Sequence, residues 1–310
     1  MIALFTSVPK EAVIDAPDSP SIYDVPFLLK KQGLDEQIMM LLRLRSDRWD
    51  FEEWSDFVQR LKAAASAAPV RIAIAGKYTR LKDSYKSLVE AIQHGAVANG
   101  VRAELDYVDV EEEDSRERLG RADGLIVPGG FGDRGIEGKI EAVHCARENN
   151  IPFLGICLGM QCAVIEFARN VLGLKNAHST EFNTKTPHPV VDLMTAQKGV
   201  KEKGGTMRLG AWPCSIKTGT LARRIYGLAN ISERHRHRYE FNLKYVPLYE
   251  KKGMTVSGVN RKIGLPEMVE IKKHPWFLGV QFHPEFKSRP LMPHPLFFSF
   301  VAAAVKNKKK

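Results

Sequence analysis

The residues best suited to chemistry lie in Gly155-Ile156-Cys157-Leu158-Gly159, a G-x-C-x-G run between the apolar segment PFLGI and a stretch of helical periodicity. A strand that turns sharply into a helix strains its corner residue and presents that side chain at the carboxyl edge of an open sheet. The flanking glycines tolerate the crowding. The partial positive charge of a helix start favours a thiolate. Cys157 is therefore the candidate nucleophile, while Cys145, Cys162 and Cys214 read as small buried hydrophobes. A thiol nucleophile needs a base. Val280-Gln281-Phe282-His283-Pro284-Glu285 offers one at the end of the apolar run FLGVQF. In extended geometry His283 and Glu285 project to one side, so the carboxylate can fix the imidazole tautomer, completing a Cys157–His283–Glu285 triad. Pro128-Gly129-Gly130-Phe131-Gly132 follows the run GLIV, and its backbone N–H groups, with that of Leu158, can face a developing oxyanion.

Other chemistries fit less well. Gly130 to Gly135 matches G-x-G-x-x-G, but it follows the third apolar run rather than the first, and the next run ends in Cys157 instead of an acidic residue. A phosphate loop before Gly138-Lys139 would need glycine at 133, where Asp133 stands. The H-x-H of His235 and His237 lacks a clear third ligand, and no C-x-x-C pair occurs, so no metal is expected.

The elements that must position these residues alternate. VRIAIAG (70–76) is a buried-strand pattern, a helix near 84–99 stops at Gly100, and VRAELDYVDV and GLIV are further strands. A helix near 136–149, the strand PFLGI and a helix from Leu158 to about Val171 complete the run. This predicts an α/β fold with a doubly wound, mostly parallel sheet and a nucleophile elbow. Beyond about 175 the strands read as antiparallel: RHRHRYEFN, MTVSGVN, MVEIKK and WFLGVQF. Residues 1–62 differ: MIALFTSV reads as a short strand, PDSPSIYDVP as a loop, and two helices follow, the second with Phe51, Trp54, Phe57, Val58 and Leu61 on one stripe. The expected division is 1–62, a small-residue linker at 63–69, a main domain at 70–305 and a basic tail at 306–310.

With 310 residues, 44% hydrophobic and 26% charged, the chain is an ordinary globular protein rather than a fibrous or disordered one. The net charge of +10 invites anionic partners, but several lysines crowd the last five residues and no nucleic-acid signature accompanies them. Four cysteines, no membrane-length apolar run and no signal-like start predict a reduced, cytoplasmic protein without membrane or nucleic-acid partners.

PGGFG, GICLGMQ and QFHPEF together resemble the class I glutamine amidotransferases. SIYDVP, GKYTRLKDSYKS, VPGGFGDRGIEGK, ARNVLGL, STEFN, GGTMRLG and ERHRHRYEFN are similar, more specifically, to the CTP synthase family, over residues 21 to 290. The resemblance implies glutamine hydrolysis through a Cys157 thioester, with Gly130 and Leu158 holding the oxyanion. His283 then moves protons, oriented by Glu285. It implies Arg238 for the α-carboxylate of glutamine, Glu181 for the α-ammonium and Gln161 for the substrate amide. In the family the ammonia aminates UTP in a synthetase domain that uses ATP and magnesium, and GTP activates glutaminase. The resemblance makes residues 1–62 the end of that domain, with the remainder absent, so no cofactor is expected for the glutaminase step. Phe131, Lys201 and Lys203 would line the effector surface, with Lys77–Lys86 and a Lys- and Gly-rich lid at Thr195–Gly205. The family forms tetramers. A monomer or weak dimer is expected here, because the missing domain makes most of those contacts. Two alternatives remain open at this stage: the glutaminase subunit of another amidotransferase, such as that of GMP synthesis, or a catalytically weak regulatory or assembly module.

Overall fold

The computed structural model describes residues 1–45, 50–76, 85–130, 132, 134–193 and 207–308, and its contacts divide the chain into two units, Met1–Ala63 and Ala64–Lys310. In the first unit, α1 (Ile2–Thr6) replaces the strand expected for MIALFTSV. No strand lies beside it among the described residues, and a short apolar run is ambiguous until a partner decides it. Three helices form where two were expected, α2 (Val25–Lys31), α3 (Leu34–Leu42) and α4 (Glu52–Ala65). Gly33, at φ 72°, separates the first two. The stripe on α4 buries Phe57 and Val58. Tyr23 packs edge-on against Phe57 at 5.0 Å, and Trp54 Nε1 donates to the Tyr23 carbonyl at 2.9 Å. Alanine favours helix, and α4 runs to Ala65, into the stretch read as a linker.

The second unit opens with β1 (Pro69–Gly76), followed by α5 (Lys86–Ala98), β2 (Arg102–Asp109), α6 (Ser115–Gly120) and β3 (Gly124–Val127). Then come α7 (Ile136–Glu148), β4 (Phe153–Ile156) and α8 (Leu158–Asn170). After β5 (His178–Ser179) and β6 (Pro189–Leu193) run β7 (Arg208–Ile216), α9 (Leu221–Tyr226), β8 (Asn230–His237) and β9 (Tyr239–Phe241). The unit closes with α10 (Val246–Lys252), β10 (Met254–Asn260), β11 (Leu265–Ile271), β12 (Phe277–Val280) and α11 (Pro295–Lys308). Among the described residues nine strands form one sheet in the order β2-β1-β3-β4-β12-β11-β10-β7-β8. The half from β2 to β12 is parallel, and every pairing from β12 to β8 is antiparallel. A second sheet, β5-β6-β9, carries the short strands.

Each face of the large sheet carries a core. Ile72, Ile74, Ile126 and Leu154 pack with Leu296, Phe297 and Phe300 of α11. Ala73, Leu125, Val127 and Phe153 pack with Val143 and Ala146 of α7 and Val164 and Phe167 of α8. Three readings change. WFLGVQF, expected among the antiparallel strands, forms β12, which pairs parallel with β4 on one side and antiparallel with β11 on the other. RHRHRYEFN is not one strand: the chain leaves β8 at His237 and enters the other sheet as β9 at Tyr239. The basic stretch read as a tail from 306 continues α11 to Lys308, where lysines suit the negative end of a helix.

Candidate active site

Cys157 occupies the turn between β4 and α8 at φ 51° and ψ −101°, a conformation that non-glycine residues avoid. Its surroundings over-determine it. The Cys157 amide donates to Val280 O of β12 at 2.7 Å, and its carbonyl accepts the Gln161 amide at 3.2 Å. A Cβ at Gly155 would come within 2.7 Å of the Gly159 backbone, and one at Gly159 would strike the Val127 carbonyl. Both elbow glycines are therefore required by close backbone approach.

His283 lies beyond β12, its amide donating to Arg234 O of β8 at 2.8 Å. Nδ1 is 2.7 Å from Glu285 Oε1. The two residues meet through a 3-10 turn at Pro284–Phe286 and not in the extended geometry expected. Proline's fixed φ suits the first position of a helical turn, which sets that geometry. Burial would hold the imidazole neutral, but its interactions with Cys157 and Glu285 outweigh burial and push His283 up to about 10. Gly129 clears the approach: a Cβ there would lie 2.8 Å from His283 Cε1 and 3.6 Å from Cys157 Cβ.

A cleft beside the thiol is lined by Gly130, Cys157, Leu158, Gln161, Glu181 and Arg238. These six expected residues thus converge, though they come from the loop after β3, the elbow, the turn after β5 and the β8–β9 break. Burial raises the Glu181 carboxyl and the Arg238 guanidinium opposes the shift, so the two charges sense one another. The other three cysteines are buried, and burial pushes the thiols of Cys145 and Cys214 up and that of Cys162 up to about 12. Phe131, Lys201, Lys203, residues 77–84 and the whole of the expected lid, 195–205, lie outside the described residues.

Several contributors were not among the expected site residues. Met207, Arg236, His237 and Tyr239 also line the cleft. Gln281 Nε2 donates to Cys157 Sγ at 3.7 Å, a residue quoted within the histidine motif but given no role. Alternation on β8 buries Glu233, His235 and His237 and exposes Arg234 and Arg236. The histidines then meet a buried network: Arg208 donates to Glu240 at 3.0 Å and to Glu267 at 2.6 Å. Burial pushes Glu240 up to about 8 despite Arg208, and lowers His235 to about 2 and His237 to about 3. The two histidines bond each other, Nδ1 of His235 to Nε2 of His237 at 2.8 Å.

Comparison with known proteins bears on this geometry. The family model described as glutamine amidotransferase class-I matches residues 80–303, and one described as CTP synthase N-terminus matches residues 1–44. CTP synthase of Flavobacterium johnsoniae is 52% identical over 313 residues, covering 100% of this chain and 58% of that protein. CTP synthase of Rubrobacter xylanophilus is 54% identical over 308 residues, covering 98% of this chain and 55% of that protein. The chain thus spans little more than half the length of these curated relatives. A solved structure, the glutaminase domain of Trypanosoma brucei CTPS with bound acivicin, superposes with a TM-score of 0.72 at 42% identity, covering 76% of this chain and 94% of that one. With a strained cysteine elbow beside a His–Glu pair and family similarity over most of its length, the chain belongs to the class I glutamine amidotransferase family, among the CTP synthases.

Proposed function

We propose that this chain is the glutamine-hydrolysing part of a CTP synthase. The observation that carries the reading is the strained Cys157 beside the paired His283 and Glu285, in a cleft whose far wall bears one acid, Glu181, and one guanidinium, Arg238. Free glutamine has an ammonium and a carboxylate at one end and an amide at the other. Glu181 takes the first, Arg238 grips the second, and the amide then reaches Cys157. The T. brucei relative was solved with acivicin, a glutamine analogue, which supports this choice of ligand.

Cys157 Sγ attacks the amide carbon. The carbonyl oxygen becomes an oxyanion held by the backbone N–H groups of Gly130 and Leu158. His283 gives its proton to the amide nitrogen, ammonia leaves and a thioester remains. His283 then takes a proton from water, the hydroxide attacks the thioester, and glutamate and the thiol are released. Glu285 holds His283 in the required orientation throughout. This cycle needs no cofactor.

The remaining assignments follow the same kinship. Ammonia passes to a synthetase domain, where UTP is aminated with ATP and magnesium, and residues 1–62 are the end of that domain. GTP activates glutamine hydrolysis, with Phe131, Lys201 and Lys203 near the effector surface. The assembled enzyme is a cytoplasmic tetramer, and this chain alone is a monomer or weak dimer. Among the described residues no helix is long and apolar enough to cross a membrane.

The test is to incubate the purified chain with glutamine, with and without GTP, and to measure glutamate and ammonia. We expect equal amounts of the two, lost at least a thousandfold in Cys157→Ala. Glutamate production that survives in Cys157→Ala would overturn the assignment.

A further inference from the structure

A continuous hydrogen-bond path runs from the buried H-x-H of β8 to the sulfur of Cys157. His237 Nδ1 lies 3.3 Å from the Tyr239 carbonyl, which also accepts Gln161 Nε2 at 3.1 Å. Gln161 Nε2 is 3.4 Å from Gln281 Oε1, and Gln281 Nε2 is 3.7 Å from Cys157 Sγ. Gln161 and Gln281 are both buried, so neither amide can swing into water without losing these partners.

The protons along the path follow from one fixed point. A carbonyl only accepts, so His237 Nδ1 carries the hydrogen. Its Nε2 is then a lone pair and takes the Nδ1 hydrogen of His235 at 2.8 Å. His235 Nε2 is left as an acceptor, buried without a hydrogen-bond partner, 3.6 Å from Glu267 Oε2, which is likewise unpartnered. Arg208 fixes Glu267 from the other side and joins it to Glu240, whose Oε1 lies 3.3 Å from His237 Nδ1. The path is thus anchored at one end on a buried guanidinium and ends at the other on the reactive sulfur.

We propose that His237 and His235 are positioning residues for the nucleophile: by fixing the Tyr239 carbonyl at the break between β8 and β9, they hold Gln161 and Gln281 so that the Gln281 amide donates to Cys157 Sγ. An N–H donor at sulfur stabilises the thiolate more than the thiol. The pair therefore acts on Cys157 reactivity without touching glutamine's reacting atoms. The inference deepens the glutaminase reading, in which Cys157 is the attacking group.

The experiment follows iodoacetamide alkylation of Cys157 in the full 310-residue chain, located by peptide mass, alongside glutamate release. His237→Leu should slow alkylation at pH 7 about tenfold, the loss of roughly one charged hydrogen bond. Gln281→Leu should slow it at least as much, and the double variant no further. An asparagine amide nitrogen superposes on Nδ1 and a glutamine amide on Nε2. His237→Asn should therefore restore alkylation to within about threefold of the parent, and His237→Gln should not. This second pair decides the matter if the leucine variant does not fold. Parental alkylation in His237→Leu while Gln281→Leu is slow overturns the proposal, and so do equal defects in the Asn and Gln variants. A parent that alkylates as described but releases no glutamate fails the glutaminase reading and leaves the positioning inference standing.

Discussion

The two halves of the large sheet hold their functional groups in opposite ways. In the parallel half, Ile72, Ile74, Leu125, Ile126 and Leu154 are fully buried and apolar, and chemistry appears only at the carboxyl edge, at Cys157. Shape does the work there: missing side chains at Gly155 and Gly159 let backbone meet backbone, and packing forces the positive φ. In the antiparallel half, Arg208, His235, His237 and Glu267 are buried within the sheet itself, with Glu240 beside them. There, charge and hydrogen bonding do the work. A nucleophile needs one strained, unyielding corner. A ligand with two opposite charges needs walls whose polarity is arranged from behind.

The comparison can be broken from either side. The largest effect is expected from Gly159→Ala, whose new methyl would strike the Val127 carbonyl. The elbow cannot form with it, so soluble yield and glutamate release should both collapse. Retention of either, at parental Tm, would show that the corner is held by something other than backbone contact. Next is Arg208→Met, which leaves Glu240 and Glu267 buried without their cation. Urea unfolding should show a loss of about 3–5 kcal/mol, largely recovered when both glutamates are also made apolar. A loss under about 1 kcal/mol would mean that the network contributes little.

Acid should act mainly on the same half. His235 and His237 titrate at about 2 and about 3 when folded, against an ordinary 6.5, so the unfolded chain binds more protons below 6.5. Their contribution to stability therefore falls as pH falls. Glu240 works the other way, holding a proton up to about 8 against an ordinary 4.5, and so partly offsets the histidines between 4.5 and 6.5. Below pH 4.5 that offset is gone, and each pH unit should remove up to about 1.4 kcal/mol per histidine. His283, raised to about 10, adds stability that is complete below 6.5 and disappears as pH rises through its folded value. Thermal melts from pH 3 to 10 check all of these, and His237→Asn should flatten the acid limb. The smallest effect belongs to the surface. Arg121, just past the end of α6, pairs with Glu117 one turn earlier, both about two-thirds exposed, and Glu117→Gln should change stability by less than about 0.5 kcal/mol in the same melts.

Much of the fold was legible because its signals are local. An apolar run ending in glycine, a helix stopped by Gly100 and the G-x-C-x-G corner each state a backbone requirement within a few residues, and β1, α5 and the elbow form where those signals stand. The first strand expected, MIALFTSV, failed because strand identity depends on a neighbour that the run itself does not contain. The H-P-E turn was legible in its partners but not in its geometry, since proline's preference for a helical turn prevailed over extension.

By itself the sequence singled out Cys157 as the candidate nucleophile and His283 and Glu285 as its candidate partners, because residue type and spacing carry that chemistry directly, whereas Glu181 and Arg238 were marked out only by the family resemblance. The tertiary structure alone decided that RHRHRYE divides between two sheets at Arg238, that Gln281 reaches the Cys157 sulfur, and that two glutamates share one buried arginine. These are contacts between residues dozens to over a hundred positions apart. They arise from strand order and register, which are set by the packing of the whole sheet and written in no single segment.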